Sequence, residues 1–193
     1  MKKKIIILGS TGSIGQSTLN IIRKNKKNFN IVLLSTNKNI NKLLKQAKEF
    51  KVQNVIIFNK KKYNENKIKL FKEKKIKVHN DLQSFYQAKN IKVDYTMSAI
   101  SGLGGLEPTL ESIKYTKRIA IANKESLICA WNLIEKKLKL YKTEFIPVDS
   151  EHFSIWSLIK NTKIEMIEKI FITASGGPFL NMSINKLKRV TPR

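Results

Sequence analysis

The stretch Ile7-Leu8-Gly9-Ser10-Thr11-Gly12-Ser13-Ile14-Gly15 decides the fold, because it closes an apolar run and opens a helix. The run at 5–8 predicts a short strand buried on both faces of a parallel sheet. Beyond the glycines, apolar residues at helical spacing predict a helix over 13–24. A strand that turns through glycines into a helix directs backbone N–H groups at its ligand, which suits a pyrophosphate. The stretch therefore predicts dinucleotide binding, with a plain tight turn as the alternative.

The residues after the second predicted strand, 31–35, bear on the choice between NAD and NADP. Proteins that prefer NAD usually place Asp or Glu about 20 residues beyond such glycines, where it accepts hydrogen bonds from the ribose 2′-hydroxyl. Here the strand is followed by Thr36, Asn37, Lys38 and Asn39, and none of them carries a carboxylate. Hydroxyl, amide and ammonium groups can bind a 2′-phosphate that a carboxylate would repel. NADP(H) is therefore predicted, although Lys38 also fits an ordinary surface lysine.

Composition limits the class of protein. The length of 193 residues accommodates one α/β domain and a remainder, since domains hold roughly 100–200 residues. A hydrophobic content of 41% is sufficient for a packed core. The single cysteine, Cys129, excludes an internal disulfide and fits a reducing cytoplasm. The sequence contains no apolar stretch long enough to span a membrane. We therefore expect a cytoplasmic protein without a membrane partner.

The formal charge of +24 raises the question of a nucleic-acid partner. The lysines are scattered, and only Arg23, Arg118, Arg189 and Arg193 are arginines. Specific nucleic-acid recognition relies on arginine forks and interleaved aromatic side chains, and this sequence has neither pattern. The excess of Lys, Asn and Ile favours compositional drift, so no nucleic-acid partner is expected. A nucleic-acid role and attraction of anionic phosphorylated ligands remain the alternatives.

Strand and helix patterns alternate along the whole chain, which predicts a Rossmann-like, doubly wound α/β fold with a mostly parallel sheet. The helix expected over 124–141 carries apolar residues interpreted as core: Leu127, Ile128, Trp131, Leu133, Ile134 and Leu138. Strands are expected at 4–8, 31–35, 52–58, 76–79, 93–100, 118–122, 145–148 and 169–173, and helices at 13–24, 39–50, 61–74, 81–89, 106–116, 124–141 and 152–161.

Two clusters stand where predicted strands end, at the carboxyl edge where parallel sheets bind ligands. Residues 98–105 are small and glycine-rich, so a flat ring or a ribose could lie against the backbone; a glycine turn is equally compatible. Asn123, Lys124 and Glu125 follow the strand at 118–122. Lys124 could donate to a substrate oxygen and Glu125 could accept from a ribose hydroxyl. Alternatively, Asn123 caps the next helix and Glu125 complements its dipole.

Two carboxylates, Asp149 and Glu151, follow the strand at 145–148 with one residue between them. In an extended segment both side chains point the same way and can approach one cation, which would offset their mutual repulsion. Oxygen ligands suit Mg²⁺ or Mn²⁺ better than Zn²⁺. The alternative is an N-cap at Asp149 or Ser150 with Glu151 in the first helical turn. Farther on, Ser175 before two glycines could bind a phosphate or form a simple turn.

Taken in order, the segments ILGSTGSIGQST, ANKESL, PVDSEH and ASGGPF resemble the 1-deoxy-D-xylulose 5-phosphate reductoisomerase family. Its members are NADPH- and metal-dependent enzymes of the methylerythritol phosphate route to isoprenoids. The family often has Gly where Asn37 stands. For the cofactor, the resemblance implies that the pyrophosphate is bound by Thr11, Gly12, Ser13 and Ile14, that the 2′-phosphoribose is bound by Asn37, Lys38 and Asn39, and that NADPH is also contacted by Asn123 and Glu125. For the substrate, it implies binding by Lys124, Ser150, Glu151 and Ser175. For the metal, it implies the ligands Asp149 and Glu151.

The family chemistry agrees with these side chains. The resemblance implies that a divalent cation, Mg²⁺ or Mn²⁺ with Co²⁺ as a further candidate, polarises the oxygens of a sugar phosphate and makes its rearrangement feasible. NADPH then reduces the resulting aldehyde to 2-C-methyl-D-erythritol 4-phosphate. Lys124 would steady charge on the reacting oxygens, so Lys124, Asp149 and Glu151 are the expected catalytic residues.

The sequence reaches only about the middle of the family's length. The resemblance therefore implies an NADPH-binding Rossmann-like domain over 1–148 and the truncated start of an α+β catalytic domain over 149–193. The family's third acidic metal ligand, lid and C-terminal helical domain would follow, so we expect this chain to bind NADPH but to turn over slowly or not at all alone. A homodimer is expected for the complete protein. Competing classes are an NADPH-binding module without catalysis and a basic RNA-binding protein.

Overall fold

The computed structural model describes residues 1–59, 61, 67–89, 91–173 and 177–191. The chain forms two compact units, Met1–Asp149 and Ser150–Arg193. The strands of the first unit are β1 (Lys3–Leu8), β2 (Phe29–Thr36), β3 (Asn54–Ile57), β4 (Lys77–His79), β5 (Tyr95–Ser98), β6 (Arg118–Ile121) and β7 (Glu144–Pro147). Its helices are α1 (Ser13–Lys24), α2 (Ile40–Glu49), α3 (Lys67–Glu73), α4 (Leu82–Lys89), α5 (Leu106–Ile113) and α6 (Lys124–Tyr141), with a 3₁₀ turn at Leu103–Gly105.

The strands form a parallel sheet in the order β4-β3-β2-β1-β5-β6-β7. The chain starts in the middle at β1, runs outward to β4, and then returns to β5 on the other side of β1. The order therefore reverses between β1 and β5, which is the switch point at which doubly wound sheets open a ligand crevice beyond their carboxyl ends. This topology confirms the predicted Rossmann-like α/β fold.

The position of β1 in the middle of the sheet, covered on both faces, explains why its sequence is a continuous apolar run. Ile5 and Ile7 pack into the core on one face of the sheet, whereas Ile6 and Leu8 pack into the core on the other face. Successive side chains of a strand point to opposite faces, so a strand covered on both sides needs apolar residues at every position. All four side chains are buried.

The predicted strands at 4–8 through 145–148 are confirmed as β1–β7, with ends that differ by one to two residues at most positions. The eighth predicted strand, at 169–173, is wrong, because these residues have no regular structure and are exposed. Ile170, Phe171 and Ile172 have the apolar, β-branched character of a strand. A strand is stabilised by pairing with a neighbour, however, and no strand lies within the described part of 150–193.

The core prediction for α6 is correct for only part of its apolar residues. Ile134 and Leu138 are buried against β6, while Ile128 is 81% exposed and Leu133 57% exposed. Trp131 is 40% exposed, with its ring edge against Phe145. A helix on one face of a sheet buries a single stripe, so apolar residues elsewhere on its circumference stay in contact with solvent.

The second unit contains α7 (Ser150–Ile159), 3₁₀ turns at Ile164–Met166 and Gly177–Phe179, and α8 (Ile184–Leu187). None of its described residues is buried. Among the helices that the structure describes in either unit, none is long and apolar enough to cross a membrane.

Candidate functional site

The loop Gly9–Gly12, which joins β1 to α1, is called here the glycine loop. Gly9 has φ +75°, a backbone conformation that residues with a side chain rarely adopt. A Cβ atom at Gly9 would also lie 2.5 Å from the carbonyl oxygen of Ala99, which follows β5. Glycine is therefore required at this position for two reasons: its positive φ, and the close approach of the loops after β1 and β5 at the switch point.

The other two glycines differ in what they do. A Cβ at Gly15 would overlap the backbone of Gly9 and Ser10, so this glycine allows α1 to start directly against the loop. Gly12, the N-cap of α1, has φ −76°, and a Cβ there would make an ordinary contact 3.4 Å from the oxygen of Gly9. Packing thus tolerates a side chain at Gly12, and its absence leaves the N-terminus of α1 open to a ligand. The first turn carries no acidic residue, so the dipole of α1 is not offset there.

A buried polar network supports the glycine loop from below. The Gly9 N–H donates to Ser35 Oγ at 2.9 Å, and the Ser10 hydroxyl donates to the Ser35 carbonyl at 3.1 Å. Gln46 Oε1 of α2 lies 2.8 Å from Ser10 Oγ, so it shares the one proton of that hydroxyl with the Ser35 carbonyl. Gln46 Nε2 donates to the Ser10 carbonyl at 2.9 Å. Buried polar groups that are fully paired fix the conformation of the backbone they hold. Gln46 was not among the predicted site residues, although a polar residue among the apolar positions of α2 was an available signal.

The segment after β2 is tied to the glycine loop by hydroxyl groups. Thr11 Oγ1 and Thr36 Oγ1 are 2.7 Å apart, and the Asn39 N–H donates to Thr36 Oγ1 at 3.3 Å. Asn39 caps α2 by accepting the Lys42 N–H at 3.2 Å. Lys38 is exposed, as an ordinary surface lysine would also be.

Two clefts open beside the glycine loop at the carboxyl edge of the sheet. The first has a volume of about 690 Å³, and predicted cofactor residues Thr11, Gly12 and Asn37 line it. The second has a volume of about 250 Å³, and it is lined by Ser13, Ile14, Asn123, Lys124 and Glu125. Residues 99–101, after β5, line both clefts. Eight of the predicted residues therefore share one edge, while Lys38 and Asn39 lie outside the lining of both clefts.

Asn123 joins the loops after β5 and β6. Its side chain is 2% exposed, and Oδ1 accepts the Ser126 N–H at 2.9 Å, which caps α6. Nδ2 donates to the carbonyl oxygens of Ile100 at 2.6 Å and Gly102 at 2.7 Å. Both amide hydrogens are thus used within the protein, so the Asn123 side chain holds the wall of the second cleft. Lys124, next to it, is exposed at the start of α6.

Three carboxylates that the sequence analysis did not connect line the first cleft: Asp81, Glu107 and Glu111, called here the acidic cluster. Burial raises the pKa of Glu111, and the charges of Glu107 and Asp81 raise it further. Asp81 precedes α4, whereas Glu107 and Glu111 belong to α5. Asp81 and Glu107 are 26 positions apart in the sequence. Such carboxylates can accept hydrogen bonds from hydroxyl or amino groups, and they repel phosphates.

The predicted metal residues Asp149 and Glu151, with Ser150 between them, stand in the sequence at the boundary of the two units, whereas the predicted substrate residue Lys124 lines the second cleft. Asp149 is the last residue of the first unit, whereas Ser150 and Glu151 begin the second. Within α7 the Ser150 hydroxyl donates to Glu151 Oε2 at 2.7 Å. No group of three or more His, Cys, Asp or Glu in the described parts of the chain could hold a metal ion. Ser175 lies outside the described residues.

The sheet order and the glycine loop at its switch point define a Rossmann-like α/β protein. The model of the 1-deoxy-D-xylulose 5-phosphate reductoisomerase family matches residues 5–131, and the model of the C-terminal domain of the same enzyme matches residues 145–193. The chain therefore belongs to the 1-deoxy-D-xylulose 5-phosphate reductoisomerase family, which confirms the resemblance found in the sequence.

Among curated relatives, the 1-deoxy-D-xylulose 5-phosphate reductoisomerase of Pelagibacter ubique is 58% identical over 98% of this chain and 49% of its own length. That of Thermodesulfovibrio yellowstonii is 40% identical over 99% of this chain and 50% of its own length. The chain thus spans about half the length of the curated relatives it matches.

Solved structures of the same enzyme have the same fold. The Zymomonas mobilis reductoisomerase in complex with NADPH is 33% identical with a TM-score of 0.85, and the match covers 99% of this chain and 50% of that one. A reductoisomerase in complex with NADPH, fosmidomycin and magnesium is 32% identical with a TM-score of 0.79, covering 98% of this chain and 49% of that one.

Proposed function

We propose that this chain provides the NADPH-binding part of an enzyme that converts 1-deoxy-D-xylulose 5-phosphate into 2-C-methyl-D-erythritol 4-phosphate in isoprenoid synthesis. The observation that carries the proposal is the open glycine loop at the switch point, with the predicted cofactor residues on both clefts beside it. Membership of the family and the NADPH present in two similar solved structures support it. We assign the NADPH-binding domain to 1–148 and the start of the catalytic domain to 149–193.

The chemistry of the clefts fits NADPH. Backbone N–H groups at the start of α1 bind the pyrophosphate, and the bare Gly12 lets it approach. Thr11, Ser13 and Ile14 flank that position. The segment Asn37–Asn39 offers amide and ammonium groups, without a carboxylate, to the 2′-phosphate. Glu125 accepts from a ribose hydroxyl, and Asn123 keeps the adjoining loop in place.

Asp149 and Glu151 supply carboxylate oxygens, which are suitable ligands for a divalent cation such as Mg²⁺, Mn²⁺ or Co²⁺. Magnesium is present in similar solved structures, which supports Mg²⁺ most directly. Two carboxylates leave coordination positions for substrate oxygens and further ligands. When bound, NADPH supplies a hydride and the cation supplies Lewis acidity toward the substrate oxygens.

The remaining roles belong to side chains of this chain. Lys124 stands at the carboxyl edge of the sheet, where its ammonium group can hold negative charge on the reacting oxygens of the sugar phosphate. Ser150 donates a hydrogen bond to Glu151, which orients that carboxylate, and both residues are proposed to contact substrate together with Ser175. We further propose a cytoplasmic homodimer for the whole protein; the lone Cys129 of this chain fits the reducing compartment.

Titration with NADPH, followed by the fluorescence of the reduced nicotinamide, tests the cofactor assignment. We expect saturable binding of NADPH that is tighter than binding of NADH. The variant Gly12→Val is expected to keep the melting temperature within a few degrees, because φ at Gly12 suits any residue, but to abolish NADPH binding by filling the approach to α1. A wild-type chain that binds no NADPH, or a Gly12→Val variant that binds it normally, would contradict the assignment.

Electron paramagnetic resonance of free Mn²⁺ tests the metal assignment. The variants Asp149→Asn and Glu151→Gln are each expected to weaken Mn²⁺ binding by about tenfold or more, since each removes one charged ligand. Glu165→Gln is the matched control, because Glu165 is an exposed carboxylate of the second unit outside the proposed ligand set. Equal Mn²⁺ binding by all three variants would show that Asp149 and Glu151 do not hold the ion.

A further inference from the structure

Thr36, the last residue of β2, has no role in the proposed function. It is 1% exposed, and its hydroxyl lies between two segments proposed to bind different phosphates of NADPH. On one side, Thr36 Oγ1 is 2.7 Å from Thr11 Oγ1 in the glycine loop. On the other side, it accepts the Asn39 N–H at 3.3 Å, at the end of the segment proposed for the 2′-phosphoribose.

The proposed direction of the hydrogen bonds follows from the burial of the two hydroxyl groups. A hydroxyl has one proton to donate and two lone pairs to accept with. Thr36 Oγ1 accepts the Asn39 N–H and lies 2.7 Å from Thr11 Oγ1, and by distance alone either hydroxyl could donate to the other. We take Thr36 as the donor because its hydroxyl is buried, whereas Thr11 lines the first cleft and can give its own proton to a ligand. The proton of Thr11 is then left for a ligand, and Thr11 lines the first cleft beside Gly12.

We propose that Thr36 is a positioning residue for NADPH, through a hydrogen-bond relay from the Asn39 N–H to Thr36 Oγ1, to Thr11 Oγ1 and on to a phosphate oxygen of the cofactor. Each donor in such a series polarises the next, and the last one meets an anion, for which hydrogen bonds are strongest. The relay rests on the proposed function, because its end point is the bound NADPH.

The relay has a consequence for cofactor choice. NADH and NADPH share the pyrophosphate that Thr11 would contact, whereas only NADPH carries the 2′-phosphate that the segment ending at Asn39 would contact. Loss of the Thr36 hydroxyl would release that segment and deprive Thr11 of its donor. It should therefore weaken binding of NADPH more than binding of NADH.

Dissociation constants for NADPH and NADH, measured alongside melting temperatures, test the relay. The variant Thr36→Val, which replaces the hydroxyl with a methyl group, is expected to weaken NADPH binding about 5- to 30-fold and to weaken NADH binding less. Thr36→Ser keeps the hydroxyl and is expected to restore most of the affinity. Thr36→Ala provides a second hydroxyl-free variant if Thr36→Val does not fold.

Two further variants separate positioning from a general loss of stability. Thr143→Val is the matched control, because Thr143 is also buried and its hydroxyl donates to carbonyl oxygens far from the clefts, those of Ile113 at 2.7 Å and Thr116 at 3.1 Å. It should lower the melting temperature but leave both dissociation constants unchanged. In a Thr11→Val background, Thr36→Val should weaken NADH binding no further, because its effect on the pyrophosphate passes through Thr11.

The outcomes separate the two proposals. Wild-type affinity of Thr36→Val for NADPH, or additive losses of NADH affinity for Thr11→Val and Thr36→Val, would overturn the relay while leaving NADPH binding intact. A wild-type chain that binds neither dinucleotide would contradict the proposed function itself, and the relay with it.

Discussion

The two units of this chain differ in how far their apolar side chains are buried. In Met1–Asp149, the strands and helices bury three apolar clusters against the faces of one sheet. In Ser150–Arg193, no described residue is buried, and large apolar side chains such as Phe171 are as much as 85% exposed. Apolar content alone therefore does not make a core, because burial requires elements that can cover one another.

The difference shows where stability resides. Burial of apolar surface is the main favourable contribution to folding, at roughly 25 cal/mol per Å². The first unit gains this contribution within itself, and its site is built on elements that the core fixes. The second unit, with short helices and no buried residue among those described, lacks this source of free energy. Isolated helices shorter than about 12–15 residues are marginal in water.

The largest expected effect follows from separating the two units. A protein of residues 1–149 should unfold in one cooperative transition and bind NADPH, whereas a peptide of residues 150–193 should show little helix and no transition. Circular dichroism during heating provides the measurement for both. A cooperative transition in the 150–193 peptide would contradict the comparison.

A smaller effect is expected from the same substitution made in each unit. Leu33→Ala removes a fully buried side chain of β2 and should lower the free energy of unfolding by about 2–5 kcal/mol. Leu158→Ala, at a residue of α7 that is 77% exposed, should change it by no more than about 0.5 kcal/mol. Urea denaturation of both variants makes the comparison. Similar losses would indicate that Leu158 is buried in the folded protein.

The smallest effect concerns one buried titratable group of the first unit, His79. Its ring is 4% exposed, with Nε2 3.2 Å from Asn54 Oδ1 and an edge contact with Phe85. Burial, and then the charge of Lys77, lower the pKa of His79 below its usual 6.5. The unfolded chain therefore binds more protons below that pH, and the free energy of unfolding should fall as the pH drops through about 6.5.

Urea midpoints between pH 5 and 8 would reveal this dependence. The variant His79→Gln, which retains a polar side chain but does not titrate, should show a flatter profile over the same range. An unchanged slope in His79→Gln would mean that another group causes the dependence.

The sequence predicted the first unit well because local patterns there agree with the packing. The apolar run at 5–8 and the glycines after it dictate both the buried strand and the turn, and the order of elements follows from their alternation. The strand expected at 169–173 had an equally apolar pattern and was wrong. A strand is defined by its neighbour, and a one-dimensional pattern carries no information about whether a neighbour is present.

The candidate site was predictable in a similar, partial way. Residues of one loop, such as Thr11–Ile14, could be found together because the turn itself brings them to the sheet edge. Gln46 stood out in the sequence only as a polar residue among apolar ones, and Thr36 only as a hydroxyl after a strand. Their supporting roles could not be predicted, because these depend on hydrogen bonds to residues far away in the chain. The assignment of Asp149 and Glu151 to a metal stays a prediction.

The acidic cluster of Asp81, Glu107 and Glu111 has a consequence for a chain with a net charge of +24. Such a surface attracts polyanions of every kind from a distance. A polynucleotide carries a phosphate at each step, so one lying along the first cleft would bring phosphates near these carboxylates, which would repel them. A dinucleotide has its charges grouped and its rings neutral, and it can turn the neutral part toward them. We therefore expect the three carboxylates to oppose the binding of a long polyanion more than that of a dinucleotide.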